Sequence, residues 1–146
     1  MPDSRRKGSG FEYEIIQWIE DNFGERPQRV LDQVREADLG DIHFGPFLIE
    51  CKRYASGTWH RPEWWQQCLS ASEKLDRIPV LVYRFDRQPM KFVMRLCDIG
   101  DYPVRSNETA TLGSREAELV LREKMNSSNE LTLSLEDSLS MGERFG

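Results

Sequence analysis

The chain has 146 residues, 38% apolar and 31% charged, with a formal net charge of −5 and a pI near 5.1. That length holds one domain with a real core, and the acidity argues against a general nucleic-acid coat. No apolar run approaches the roughly 18–20 residues a bilayer crossing needs, and Glu12 and Glu14 break any signal-peptide core after the basic opening MPDSRRKGSG, so no membrane partner and a cytoplasmic setting are expected.

In chain order, residues 1–9 read as a basic, mobile arm. Phe11, Ile15, Trp18, Ile19 and Phe23 then recur at helical spacing, with Gly24 as the stop. Arg29–Val34 and Asp41–Phe44 read as strands, and Phe47–Lys52 as a more apolar one. After a loop over 53–61, Pro62 suits the first turn of a second helix reaching about Arg77. Its apolar stripe is Trp64, Cys68, Ala71 and Leu75, and its polar edge Glu63, Gln67, Ser70 and Lys74. Pro79–Phe85 reads as a buried strand and Lys91–Leu96 as an alternating one. Together these predict an α/β core, a mixed central β-sheet flanked by helices.

From there the texture changes. Residues 105–113 read as loop, Ser114–Met125 as a short charged helix capped by Ser114, and Leu131, Leu133 and Leu135 as an alternating edge strand. Residues 1–104 are therefore taken as the core and 105–146 as a peripheral extension, partly flexible or dimer-wrapping. Truncation after Tyr102 is expected to leave that core working. The three cysteines, Cys51, Cys68 and Cys97, form no CxxC pair; buried thiols are expected rather than zinc or disulfides.

Chemistry concentrates where Gly45-Pro46 turns a hairpin between the second and third strands. A loop centred there pairs 44 with 47, 43 with 48, 42 with 49 and 41 with 50. Asp41 would then face Glu50, with Cβ atoms roughly 4.5–5.5 Å apart. Alternation puts Glu50 and Lys52 on one face and Ile49 and Cys51 on the other. Two facing carboxylates repel unless a cation sits between them, and a hard divalent ion suits that place. Charge is also partitioned along the chain. Residues 51–95 carry nine Lys/Arg against four acids, whereas residues 11–50 carry three against ten. A basic segment beside a carboxylate-rich one suits metal-assisted chemistry on phosphates.

These residues resemble the PD-(D/E)xK nuclease superfamily, and within it the small Holliday-junction-resolvase-like endonucleases of archaea and phages. The resemblance covers roughly residues 5–97. It rests on Arg6-Lys7-Gly8-Ser9-Gly10-Phe11-Glu12, Gly40-Asp41, Ile49-Glu50-Cys51-Lys52, Gln67 and the Pro79–Phe85 strand. It implies a restriction-endonuclease-like fold and a Mg²⁺ site, with Mn²⁺ as substitute, at Asp41, Glu50 and the Cys51 carbonyl. It further implies Lys52 beside the attacking water, Glu12 as an additional metal or water ligand and Gln67 as an orienting group. Arg5, Arg6, Lys7, Arg53 and Arg61 are the candidate DNA contacts. One departure is visible, Leu39-Gly40 standing where the superfamily name has a proline before its aspartate.

Competing readings accompany several of these. Glu14 competes with Glu12, and Gln66 with Gln67. Trp59, Trp64 and Trp65 fit core or dimer packing better than base stacking, and neither His43 nor His60 has the spacing of a zinc or general-base site. The function expected is a Mg²⁺-dependent endodeoxyribonuclease for Holliday junctions or other branched DNA, acting as a homodimer in the cytoplasm (a host's, if phage-encoded). The alternatives are a flap, nicking or single-strand nuclease, or a DNA-binding or assembly module of the same fold without activity.

Overall fold

The structure, a computed structural model, describes residues 4–30, 40–100 and 108–128. Six strands form one mixed sheet in chain order: β1 (Gln28–Arg29), β2 (Ile42–Phe44), β3 (Phe47–Tyr54), β4 (Ile78–Phe85), β5 (Lys91–Arg95) and β6 (Thr109–Leu112). Only β3 and β4 are parallel. A parallel pair needs a crossover, and α2 (Pro62–Leu75) supplies it, with Pro62 in its first turn as expected. The remaining helices are α1 (Ser4–Phe23), the single-turn α3 (Leu96–Ile99) and α4, residues 114–128.

Two apolar layers sandwich the sheet. On one face Phe11, Ile15, Ile16 and Ile19 of α1 pack on Ile42, Ile49, Cys51, Val80, Val82, Phe92 and Met94. On the other, Trp64, Trp65, Cys68 and Ala71 of α2 pack on Leu48, Leu81, Tyr83 and Val93. Alternate residues of β3 and β4 thus serve opposite layers, and β4 is apolar almost throughout because both its faces are covered. Of the stripe expected on α2, Trp64, Cys68 and Ala71 are buried and Leu75 half-buried; Trp65 is buried as well, whereas Trp59 is exposed.

Several elements differ from the sequence expectations. Residues 4–9 are not a loose arm: their backbone continues α1 by six residues toward the N-terminus. The β1 strand spans only two residues, and 31–34 lie outside the described residues. Residues 109–112 are strand rather than loop, paired along β5 from Phe92–Leu112 to Arg95–Thr109. Nor is α4 peripheral, since its Ala117 and Leu121 are fully buried in the α1-side layer. A charged sequence hid this, because two small or apolar residues four apart suffice to seat a helix edge. The alternating Leu131, Leu133 and Leu135 fall outside the described residues. Of the thiols, Cys51 and Cys68 are buried and Cys97 only half-buried; all three are free.

Candidate active site

The hairpin register is the expected one over Phe44–Phe47, His43–Leu48 and Ile42–Ile49. The ladder ends there, before a 41–50 pair. The Asp41 N–H instead donates to the Ile49 carbonyl (3.1 Å), the Asp41 carbonyl accepts from Val30 N–H (2.9 Å), and Asp41 Oδ2 accepts from Cys51 N–H (2.8 Å). Backbone and carboxylate are therefore both held, bridging β1 and β3.

Gly40 makes this geometry possible. Its φ is +81°, and a Cβ there would lie 2.7 Å from Leu48 Cδ2. A proline, confined near φ −65°, cannot take that conformation. The missing proline before Asp41 is thus a structural requirement of this chain, not an erosion of its motif. Gly40→Ala is expected to cost about 1–3 kcal/mol in strain and to shift Asp41, lowering both the urea midpoint and any divalent-ion binding read by calorimetry.

Glu50 is 2% exposed, an unusual depth for a carboxylate. Its neighbours in β3, Leu48 and Lys52, mark the α2 side of the sheet by alternation. Lys52 is half-buried, and among the described residues its side chain forms no ion pair or hydrogen bond. Glu12 is also buried (3% exposed) but arrives from α1, on the opposite face, where Arg29 Nε donates to its Oε2 at 2.8 Å. The Arg29 guanidinium also lies over the Tyr13 ring at 5.2 Å. The competing Glu14 is spent elsewhere: it takes Arg84 at 2.8 Å and Arg53 at 3.3 Å.

The field in this region is negative. Burial pushes the Cys51 thiol well above its usual pKa, and the carboxylates of Asp41, Glu12 and Glu50 push it further in that order. Cys68, from α2, is raised first by burial and then by Glu50. Both thiols therefore stay protonated and unreactive in the folded chain. The stability they lend is complete below the unfolded value of about 8.5 and is drawn down as pH rises toward the folded values. In EDTA, Cys68→Ala should flatten the alkaline fall in urea midpoint between pH 8 and 10.

No group of three or more His, Cys, Asp or Glu side chains that could hold a metal ion occurs among the described residues. Mg²⁺ asks for less, commonly one or two carboxylates plus carbonyl, water and substrate oxygens. Asp41 and Glu50, on adjoining segments beside the Cys51 backbone, are the residues that could hold such an ion. In support of that fit, the buried Glu50 lies in the strand whose Cys51 N–H ties the Asp41 carboxylate, and both acids push the Cys51 thiol up.

The other expected residues are dispersed. Gln67 is exposed on α2, flanked by the buried Trp64 and Cys68. Arg53 is engaged by Glu14 and by Asp86 (3.4 Å). Arg61 is solvent-exposed and lies over Tyr54 and Trp64, at 5.2 and 5.7 Å from the ring centroids, while those rings stack at 4.9 Å. This stack was not legible beforehand, though Tyr54 shares the parity of Glu50 and Lys52. Arg5, Arg6 and Lys7 lie within α1. His60 remains outside the chemistry: burial lowers its pKa, favouring the neutral ring.

Comparison with curated proteins finds no match. Among solved structures, Hjc of Archaeoglobus fulgidus, described as a Holliday junction resolvase from an archaeal hyperthermophile, is similar at 15% identity and a TM-score of 0.46, covering 77% of this chain and 88% of that one. Residues 3–136 match the model of the family described as "Phage putative PDDEXK endonuclease". With 134 of the 146 residues inside that match, and a Glu50-Cys51-Lys52 strand segment beside a fixed Asp41, the chain belongs to this phage PD-(D/E)xK endonuclease family.

Proposed function

We propose that the chain is a Mg²⁺-dependent endodeoxyribonuclease that hydrolyses phosphodiester bonds in branched DNA. The observation that carries this reading is the nearly inaccessible Glu50 carboxylate, two residues from an unpaired Lys52 and next to an Asp41 tied to the Cys51 N–H. Its burial beside the like charges of Asp41 and Glu12 suits a place for a cation.

In this reading Asp41, Glu50 and the Cys51 carbonyl hold Mg²⁺, with Mn²⁺ as substitute. The ion supplies Lewis-acid polarisation of the phosphate and a more acidic water. The chain's own residues do the rest. Lys52 places a positive charge beside the water and offsets charge growing on the phosphate. Arg29 fixes Glu12 near Cys51, where it supports the ligand set from the α1 face. Gln67 orients the substrate strand from α2. Arg61, held flat by two rings, offers its guanidinium to a flanking phosphate, with Arg5, Arg6, Lys7 and Arg53 as further phosphate contacts.

Four-way junctions are the substrate that the sequence resemblance favours. Resolving one takes two symmetric nicks, so the working unit would be a C2 homodimer. The test compares junction, flap and plain duplex substrates of one sequence with Mg²⁺ or Mn²⁺ and with EDTA. Preferential, divalent-dependent junction cleavage by a species of twice the chain mass is the expected result. Flap preference would reject the junction assignment, and equal nicking by wild type and Glu50→Gln would reject the enzyme.

A further inference from the structure

Trp59 is 58% exposed, whereas Trp64 and Trp65 of the same segment are buried. Its position is nonetheless defined. Its ring lies 5.2 Å from that of His60, which lies 5.5 Å from the core ring of Tyr83, so three rings lead from the surface into the sheet. Gly57, at φ +153°, lets the loop run against Phe85, where a Cβ would meet the ring at 2.4 Å. Lys91 Nζ stands 5.9 Å from the Trp59 centroid.

The ring forms one wall of a cavity of about 550 Å³, lined also by Met90, Lys91, Leu112, Gly113 and Arg115. That size lies within the range of small-molecule sites. Glu116 lines it too, leaving two cations against one carboxylate. The cavity also has a defined relation to the candidate active site. Lys52 pairs with Tyr83, and Tyr83 with Lys91, so the two lysines lie in one row across the sheet. Two strand spacings of roughly 4.8 Å separate them, and a common row means a common face. That separation is about three nucleotide rises of roughly 3.4 Å along one DNA strand.

We infer that this cavity is a subsite for an unpaired nucleobase of the DNA strand, stacked on Trp59, with an adjoining phosphate between Lys91 and Arg115. An aromatic wall takes the π-face of any base, and the two cations take the backbone charge. The inference rests on the nuclease reading for the identity of its ligand as DNA. It adds a place for unpaired nucleotides within about three positions of the bond cut, and so a structural reason to prefer substrates that contain them.

The test measures binding in EDTA, by fluorescence anisotropy of end-labelled DNA, of a short oligodeoxythymidylate and of a blunt duplex to the full-length chain. The oligonucleotide should bind the wild type and bind Trp59→Ala about tenfold more weakly, with Trp59→Phe near wild type. Duplex affinity should stay within about twofold in both variants. Lys91→Ala and Arg115→Ala should each reduce the salt slope of oligonucleotide binding by about 0.7. Unchanged affinity in Trp59→Ala, an equal loss on duplex, or no wild-type binding of the oligonucleotide would each overturn the subsite. Because Trp59 is exposed, its replacement does not threaten folding. Cleavage lost in Glu50→Gln beside a failed subsite would leave the nuclease reading standing. Oligonucleotide binding without any cleavage would do the reverse.

Discussion

Glu50→Gln should abolish divalent-dependent cleavage while leaving the fold in place. The change keeps the side chain's shape and removes only its charge. Losing one preorganised charged contact at a reacting phosphate lowers rates by about 100-fold or more. Stability should move little, because a 2% exposed carboxylate already carries a desolvation cost that a neutral amide lacks, and the like charges of Asp41 and Glu12 stand in the same field. A second readout separates a metal site from a general loss of function. If Asp41 and Glu50 hold the ion, Mg²⁺ or Mn²⁺ should raise the wild type's Tm through binding to the folded state alone. That gain should vanish in Glu50→Gln and persist in Gln67→Ala. An equal gain in wild type and Glu50→Gln would remove Glu50 from the site.

How much of this was readable beforehand depended on how local each signal was. The hairpin register around Gly45-Pro46 was readable because a two-residue turn fixes it, and three of its four expected pairs form. The fourth does not, because Gly40 swings the chain toward β1 and Asp41 spends its backbone on Val30 and Ile49. The glycine before Asp41 was itself a clue to a left-handed backbone, but its close approach to Leu48 is a tertiary fact. So is the Glu12–Arg29 pair, which joins residues 17 apart across two elements. Helix periodicity selected Glu12 and Glu14 equally. Only the fold shows that Glu12 turns inward to Arg29 and Glu14 outward to Arg53 and Arg84. Trp59 resisted for a similar reason: three tryptophans within seven residues read as one packing cluster, and the chain's path at Gly57 sets one of them apart.

The C-terminal region yields the other large effect, now opposite to what composition suggests. Truncation after Tyr102 should leave an unfolded or aggregating product, not an active core. It would strip β6 from β5, baring the edge of a strand whose Phe92, Val93 and Met94 are fully buried, and would remove Ala117 and Leu121 from the layer they share with α1. A milder change separates packing from mere chain loss. Leu121→Ala deletes a fully buried side chain and should cost about 2–5 kcal/mol, a large share of the roughly 5–15 kcal/mol by which domains are stable. Leu119→Ala, on the same helix but 62% exposed, should stay within about 0.5 kcal/mol. Urea midpoints of the two variants give the comparison. Equal, small shifts would mean that α4 does not seat on the sheet. Were that so, β5 and β6 would lose their cover on the α1 side, and the Trp59 cavity would lose the wall that Arg115 provides.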